Sequence, residues 1–275
     1  MKLNHQFRLF LFIFVVCNMA HFQVTAQRKE CGAKPLNVSE FTKRENKALT
    51  HSAEIQIPVI VHVLYRTPDE NITDEAIHEL LNELQSDFLA QNIDISKVPT
   101  DFKGDVGSPG IKFYPCPDSI YPQSIVRVAT NRKLYKYNER IIFKDSPIIK
   151  GDRVLNIYVC NLNTNGSTPD EAKHHAVEIN YTRAEAGLRT LTHEVGHWCD
   201  LYHIFEGGCS NSDRVKDTPG QKKHPHTCPT HPCIECGHRV MYMNFMDYSC
   251  DRIFFTTDQV SRMRNFLTTY INLNL

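Results

Sequence analysis

The chain has 275 residues, enough to bury a sizeable core, and its 41% hydrophobic and 23% charged residues exclude a mostly disordered polymer. Lys plus Arg (31) equals Asp plus Glu (31), so no basic surplus points to nucleic acid or to a membrane surface. Two counts are unusual, 14 histidines and 10 cysteines.

The N-terminus reads as an export signal: Lys2 and Arg8, an apolar run over 9–17, then Val24-Thr25-Ala26 with small residues where a signal peptidase needs them. The run is too short to span a bilayer comfortably, and no later segment is apolar enough to try. Residues 1–26 are therefore expected to be removed and the product secreted, to the extracellular space or a periplasm, with no membrane partner. Export changes how the cysteines read. Nine remain after Ala26, and five of them fall between Cys209 and Cys250 in a stretch rich in Gly, Pro, Asn and Asp. In an oxidising compartment that pattern predicts a loop region held by disulfides, and an odd total leaves at least one cysteine for another task.

Residues 27–52 are polar and weakly patterned, a pro-segment or linker ahead of a domain over 53–275. The β-branched run 57–65 predicts a buried strand. Thr73 then caps a helix with Asp74 and Glu75 in its first turn and Ile77, Leu80, Leu81, Leu84 and Phe88 at helical spacing. Strands are expected at 111–115, 125–130, 154–160 and 176–180, and a helix at about 187–199. This order predicts the α/β class, a sheet with helices packed on it. Thr256 and Gln259 match a capping box for a last helix over about 257–271.

The segment 193–203 reads HEVGHWCDLYH. Four residues apart on a helix, His193 and His197 share one face and can reach one ion. Glu194, one residue around, can meet a water bound to that ion and take its proton. His203 joins only if the helix stops and the chain reverses at about Asp200, a turn that needs a left-handed residue. Three protein ligands leave an open position, the pattern of a catalytic zinc.

TLTHEVGHWCDLYHIF, followed by GGC, DTPGQ and MNFMDYS, resembles the pappalysin family of metzincin zinc metalloproteases, above all its short secreted ulilysin-like and cytophagalysin-like members. The clear likeness covers about 187–265. It implies a twisted, mostly parallel sheet carrying the active-site helix (53–203) and a smaller irregular subdomain ending in a helix (204–275), with protein or peptide substrates bound between them. It implies a monomeric endopeptidase made as a latent zymogen. Met246 would form an apolar floor under the imidazoles, and Tyr248 would stabilise the oxyanion. Cys31, in Arg28-Lys29-Glu30-Cys31-Gly32, would block the zinc as a cysteine switch in the latent form, its alternative being a disulfide.

The same resemblance implies disulfides Cys209–Cys236 and Cys228–Cys250, with Cys233 as the additional cysteine, and calcium near Asp213 and Asp217. The segment after Ser249 would shape the pocket for the residue just after the scissile bond, where a taste for Arg or Lys would rest on Asp251. Two departures stand out: Asp at 200 brings a negative charge toward the ion, and the stretch after Ser249 is short. Residues 161–175, where a substrate-binding edge strand is expected, are weakly strand-like. A helical Glu as third ligand finds poor candidates in Glu206 and Glu235. A structural zinc module built from Cys228, Cys233, Cys236 and His238 is a further alternative.

Overall fold

The computed structural model describes residues 54–116, 124–137, 139–149, 154–168, 176–225 and 229–269. The expected signal peptide, the pro-segment with Cys31, and Cys228 all lie outside the described residues.

The β-branched run forms β1 (Ile55–Tyr65), the hub of the sheet. Alternation along it sends Ile57, Val59, Val61 and Val63 into the main core, and Ile60, His62 and Leu64 to the opposite face. α1 (Asp74–Phe88) starts where Thr73 Oγ1 accepts from the Ala76 amide at 3.2 Å, and it buries Ile77, Leu80, Leu84 and Phe88. Short β2 (Val106–Gly107) leads to β3 (Ile111–Pro115), then β4 (Ile125–Ala129), α2 (Ile141–Asp145) and β5 (Leu155–Cys160). β3, β4 and β5 all pair parallel to β1.

Next come β6 (Gly166–Ser167) and β7 (Ala176–Asn180). β7 is parallel to β5, whereas β6 runs antiparallel along its outer edge. The sheet order is β3-β1-β5-β7-β6, with β4 also on β1. It is therefore mostly parallel with one antiparallel edge, and that edge lies in the stretch whose polar sequence hardly signals a strand.

α3 (Thr190–Trp198) packs on β7 and α1, and nearly all of its residues are buried. The chain after it is irregular, apart from the hairpin β8 (Ile234–Glu235) and β9 (His238–Arg239). It ends with β10 (Phe255–Thr256), paired antiparallel to β2, and α4 (Thr257–Thr269). The capping box forms as expected: Thr256 N donates to Gln259 Oε1 at 2.9 Å, and Gln259 N donates to Thr256 Oγ1 at 3.2 Å. Met241, Phe245, Phe254, Phe255, Val260 and Met263 join the same apolar cluster as β1 and α1, so one continuous core underlies both halves of the chain.

Candidate metal centre

α3 is short because its end is built into the site. Asp200 adopts φ 71°, the left-handed conformation the sequence requires of it. The Asp200 amide bonds His197 O at 2.9 Å and the Leu201 amide bonds Gly196 O at 3.1 Å, the pair of bonds that closes a Schellman turn. The reversal carries His203 back over the helix, and the ligating atoms of His193, His197 and His203 all fall within 4.8 Å of one another.

The imidazoles are fixed from behind. Nδ1 of His193 is 2.8 Å from Phe245 O, and Nδ1 of His197 is 2.8 Å from Leu201 O. A carbonyl only accepts, so each Nδ1 carries the proton and each Nε2 presents a bare lone pair. Nε2 of His197 lies 3.1 Å from Nε2 of both His193 and His203. Three lone pairs crowded in this way repel unless a cation sits among them; tetrahedral zinc with Zn–N of about 2.05 Å would set its nitrogens about 3.3 Å apart. The donor set fits zinc. Burial, reinforced by the neighbouring rings, pushes the His203 imidazole down to about 3 and His193 well below its ordinary range, which keeps these rings neutral and competent to ligate.

Met246 is fully buried beneath the helix, and a Cβ added to Gly196 would collide with its Sδ, so glycine between the two helical histidines is a packing requirement. The turn that carries Met246, a Met-turn over 244–248, is braced by paired amides, with Asn244 Nδ2 donating to Gln259 Oε1 (2.7 Å) and Gln259 Nε2 to Asn244 Oδ1 (3.0 Å). Tyr248, half exposed, stands with its ring 4.7 Å from that of His203 and 5.4 Å from that of His193.

Glu194 is buried beside this cluster, under the edge strand. Thr168 Oγ1 lies 2.9 Å from Glu194 O and 3.2 Å from Glu194 Oε2. A Cβ on Gly166 would sit 2.5 Å from Glu194 Oε1. The protein groups alone push this carboxyl up to about 8, through burial first, with the Thr168 hydroxyl and the Arg252 charge pulling it back. Sequence reading missed both Thr168 and Arg252.

The chain's cysteines divide clearly. Cys209–Cys236 is a disulfide, as expected, and Cys233 is free. Cys236 is thereby removed from the alternative zinc module. Cys250 is also disulfide-bonded, and the Cys228 expected to pair with it lies outside the described residues. Cys116 is disulfide-bonded too, which the sequence did not reveal. The carboxylate of Asp213 accepts from Val215 N (3.0 Å) and the Thr218 hydroxyl (2.5 Å), and that of Asp217 from the Thr256 hydroxyl (2.6 Å) and Asp258 N (2.8 Å). Asp251 is exposed.

The fold is shared with solved structures. Mirolysin in complex with a compound numbered 9 superposes with a TM-score of 0.73 at 33% identity, covering 81% of this chain and 96% of that one. Residues 148–268 match the family model described as pregnancy-associated plasma protein-A. The chain belongs to the pappalysin family. It is a metalloprotease, and its expected mostly parallel metzincin fold is borne out. A promirolysin mutant from Tannerella forsythia is also similar, with a TM-score of 0.74 and 31% identity over 86% of this chain and 89% of that one. An extracellular metalloprotease of Verticillium alfalfae is 28% identical over 253 residues, 86% of this pappalysin and 84% of the fungal protein. One from Colletotrichum graminicola is 42% identical over 92 residues, a match spanning 31% of that protein. Among the described residues, no helix is long and apolar enough to cross a membrane.

Proposed function

We propose that this pappalysin is a secreted, monomeric zinc endopeptidase, made as a latent zymogen, that cuts protein or peptide chains lying between segments 53–203 and 204–275. The observation carrying this reading is the convergence of three Nε2 lone pairs, two of them oriented by Nδ1 bonds to carbonyls, beside a buried glutamate. When bound, zinc supplies a Lewis acid that polarises the scissile carbonyl and acidifies a neighbouring water. His193, His197 and His203 would hold it. Glu194 takes the water proton on its carboxylate and passes it to the leaving amine, while the Tyr248 hydroxyl donates to the developing oxyanion. Gly166 and Thr168 close off one side of Glu194, and Met246 supports the ligand helix from below.

Latency is assigned to the pro-segment over 27–52; with Cys116 and Cys250 both disulfide-bonded and Cys160, Cys199 and Cys233 free, the disulfide alternative for Cys31 is favoured over a thiolate at the open coordination position. A cleaved peptide in mature mirolysin of Tannerella forsythia supports a peptide substrate class. The Asp213 and Asp217 loop rests on resemblance alone as a place for calcium, since all four carboxylate oxygens already accept hydrogen bonds.

Cleavage of a peptide library by the mature protein, with Glu194→Ala as control and zinc content measured on both, tests the reading. One zinc per chain in both proteins and loss of cleavage in the variant is the expected result. A variant that cleaves as fast as the parent overturns it.

A further inference from the structure

Asn165 stands immediately before the edge strand that covers Glu194, and Asn165-Gly166 is the chain's one Asn-Gly dipeptide. Its side chain is exposed. Arg183 Nε donates to Asn165 Oδ1 at 3.1 Å, and no hydrogen bond among the described residues holds Nδ2.

The backbone amide of Gly166 is open as well. Asn180 N donates to Asn165 O at 2.9 Å, and Gly166 lies opposite Ile179. In an antiparallel ladder that bond flanks a non-hydrogen-bonded pair, so the Gly166 N–H and C=O point away from β7. β6 is the last strand of the sheet, and both groups therefore face its open edge. The carbonyl accepts the Thr164 hydroxyl at 3.0 Å.

Glycine follows Asn165 for a reason inside the site. A Cβ at 166 would sit 2.5 Å from Glu194 Oε1 and 2.7 Å from Glu194 Cγ. The same missing Cβ takes away the bulk that ordinarily screens a backbone amide from an asparagine before it. The space that Glu194 needs thus leaves Asn165 chemically unprotected.

We propose that Asn165 is a site of spontaneous deamidation, which converts it to isoaspartate and unseats the strand over Glu194. The Gly166 nitrogen gives its proton to solvent hydroxide and attacks Asn165 Cγ, a five-membered closure favoured by proximity. Arg183 already donates to the oxygen that becomes negative. The Cγ–Nδ2 bond then breaks, and ammonia leaves after taking a proton from water. Water opens the resulting succinimide, giving Asp at one carbonyl and isoaspartate at the other. Nothing is oxidised or reduced.

In isoaspartate the backbone runs through Cβ and Cγ, one methylene longer than before. Gly166 and Thr168 shift along the edge, and the Thr168 hydroxyl leaves its places 2.9 Å from Glu194 O and 3.2 Å from Glu194 Oε2. The activity therefore has a lifetime set by its own edge strand. Only this last step rests on the endopeptidase reading.

The test stores mature protein in mildly alkaline and mildly acidic buffer and follows it by peptide mapping with isoaspartyl methyltransferase labelling. Glu194→Ala protein, spared self-digestion, gives the chemical readout. Its Asn165 is expected to become Asp and isoaspartate ahead of the other asparagines, and faster in alkaline buffer. The parent should lose kcat in step with its isoaspartate fraction, and the separated isoaspartate form should be slower by about tenfold or more. Asn165→Gln, whose longer side chain closes a slower ring, should keep its rate over the same period. An Asn165 that stays an amide while other asparagines convert overturns the proposal, as does a glycan found on it. So does a parent that converts yet loses activity no faster than the Gln variant. Should that variant fail to fold, the rates of intact and isoaspartate parent, separated by ion exchange, decide the point. If the parent cuts no peptide at all, the endopeptidase reading fails, while conversion of Asn165 is still read in the Glu194→Ala protein.

Discussion

Arg262 of α4 holds Asp200, with Nη2 2.5 Å from Asp200 Oδ2 and Nε donating to Asp200 O at 2.7 Å. The last helix thus clamps the turn that returns His203 to the other two imidazoles. A non-glycine residue in the left-handed region is strained by roughly 1 kcal/mol. The carboxylate that comes with it is turned to a guanidinium rather than to the imidazoles. Aspartate at this turn and arginine on α4 make sense only together.

Removing one partner should therefore cost more than removing both. Arg262→Ala is expected to destabilise by about 1–2 kcal/mol, the scale for a partly buried pair. Adding Asp200→Gly should restore most of that loss, since glycine takes the turn without charge or strain. Urea unfolding of the four proteins of the cycle measures the coupling, and simple additivity would contradict it.

Much of the site was legible because its signals are local. The spacing of His193 and His197, the need for a left-handed residue at 200, the Thr73 cap and the Thr256–Gln259 box all depend on neighbours within one or two helical turns. The groups that hold the ligands were not legible, because they come from distant chain. Thr168 lies 26 residues from Glu194, Phe245 lies 52 from His193, and Arg252 lies 64 from Leu188. The two-residue edge strand is too short to show alternation, and a loop such as 249–254 has no period to say whether Asp251 or Arg252 turns inward. Cys116 gave no hint of its disulfide, since spacing does not determine connectivity.

Thr168 and Gly166 define where the Glu194 carboxylate can stand. The hydroxyl is within reach of Oε2, and the missing Cβ of Gly166 is what leaves Oε1 its room. Thr168→Val keeps the shape and removes the donor, so kcat should fall about tenfold with little change in KM. Thr168→Ser should retain most of the rate. Gly166→Ala should be worse than Thr168→Val, because it displaces the carboxylate itself, yet zinc content should not change. Equal behaviour of the Val and Ser variants would mean that the hydroxyl plays no part.

Glu178 offers a test of pH dependence away from the ligands. It sits on β7 opposite Tyr158 of β5 and Ser167 of β6, almost wholly buried, with Oε2 unpartnered. Burial, and secondarily the charge of Glu194, pushes its carboxyl from 4.5 up to about 8. Between those two values the folded protein keeps a proton that the unfolded chain has released, so stability falls as pH rises, by at most about 1.4 kcal/mol per unit. Glu178→Gln supplies a neutral side chain of the same shape at every pH. The variant should match the parent near pH 4 and exceed it increasingly toward pH 8, by at least about 1 kcal/mol at the upper end. Thermal melts of both proteins across that range give the comparison. A difference that stays constant with pH, or one that favours the parent at pH 8, would show that Glu178 is ionised in the folded state.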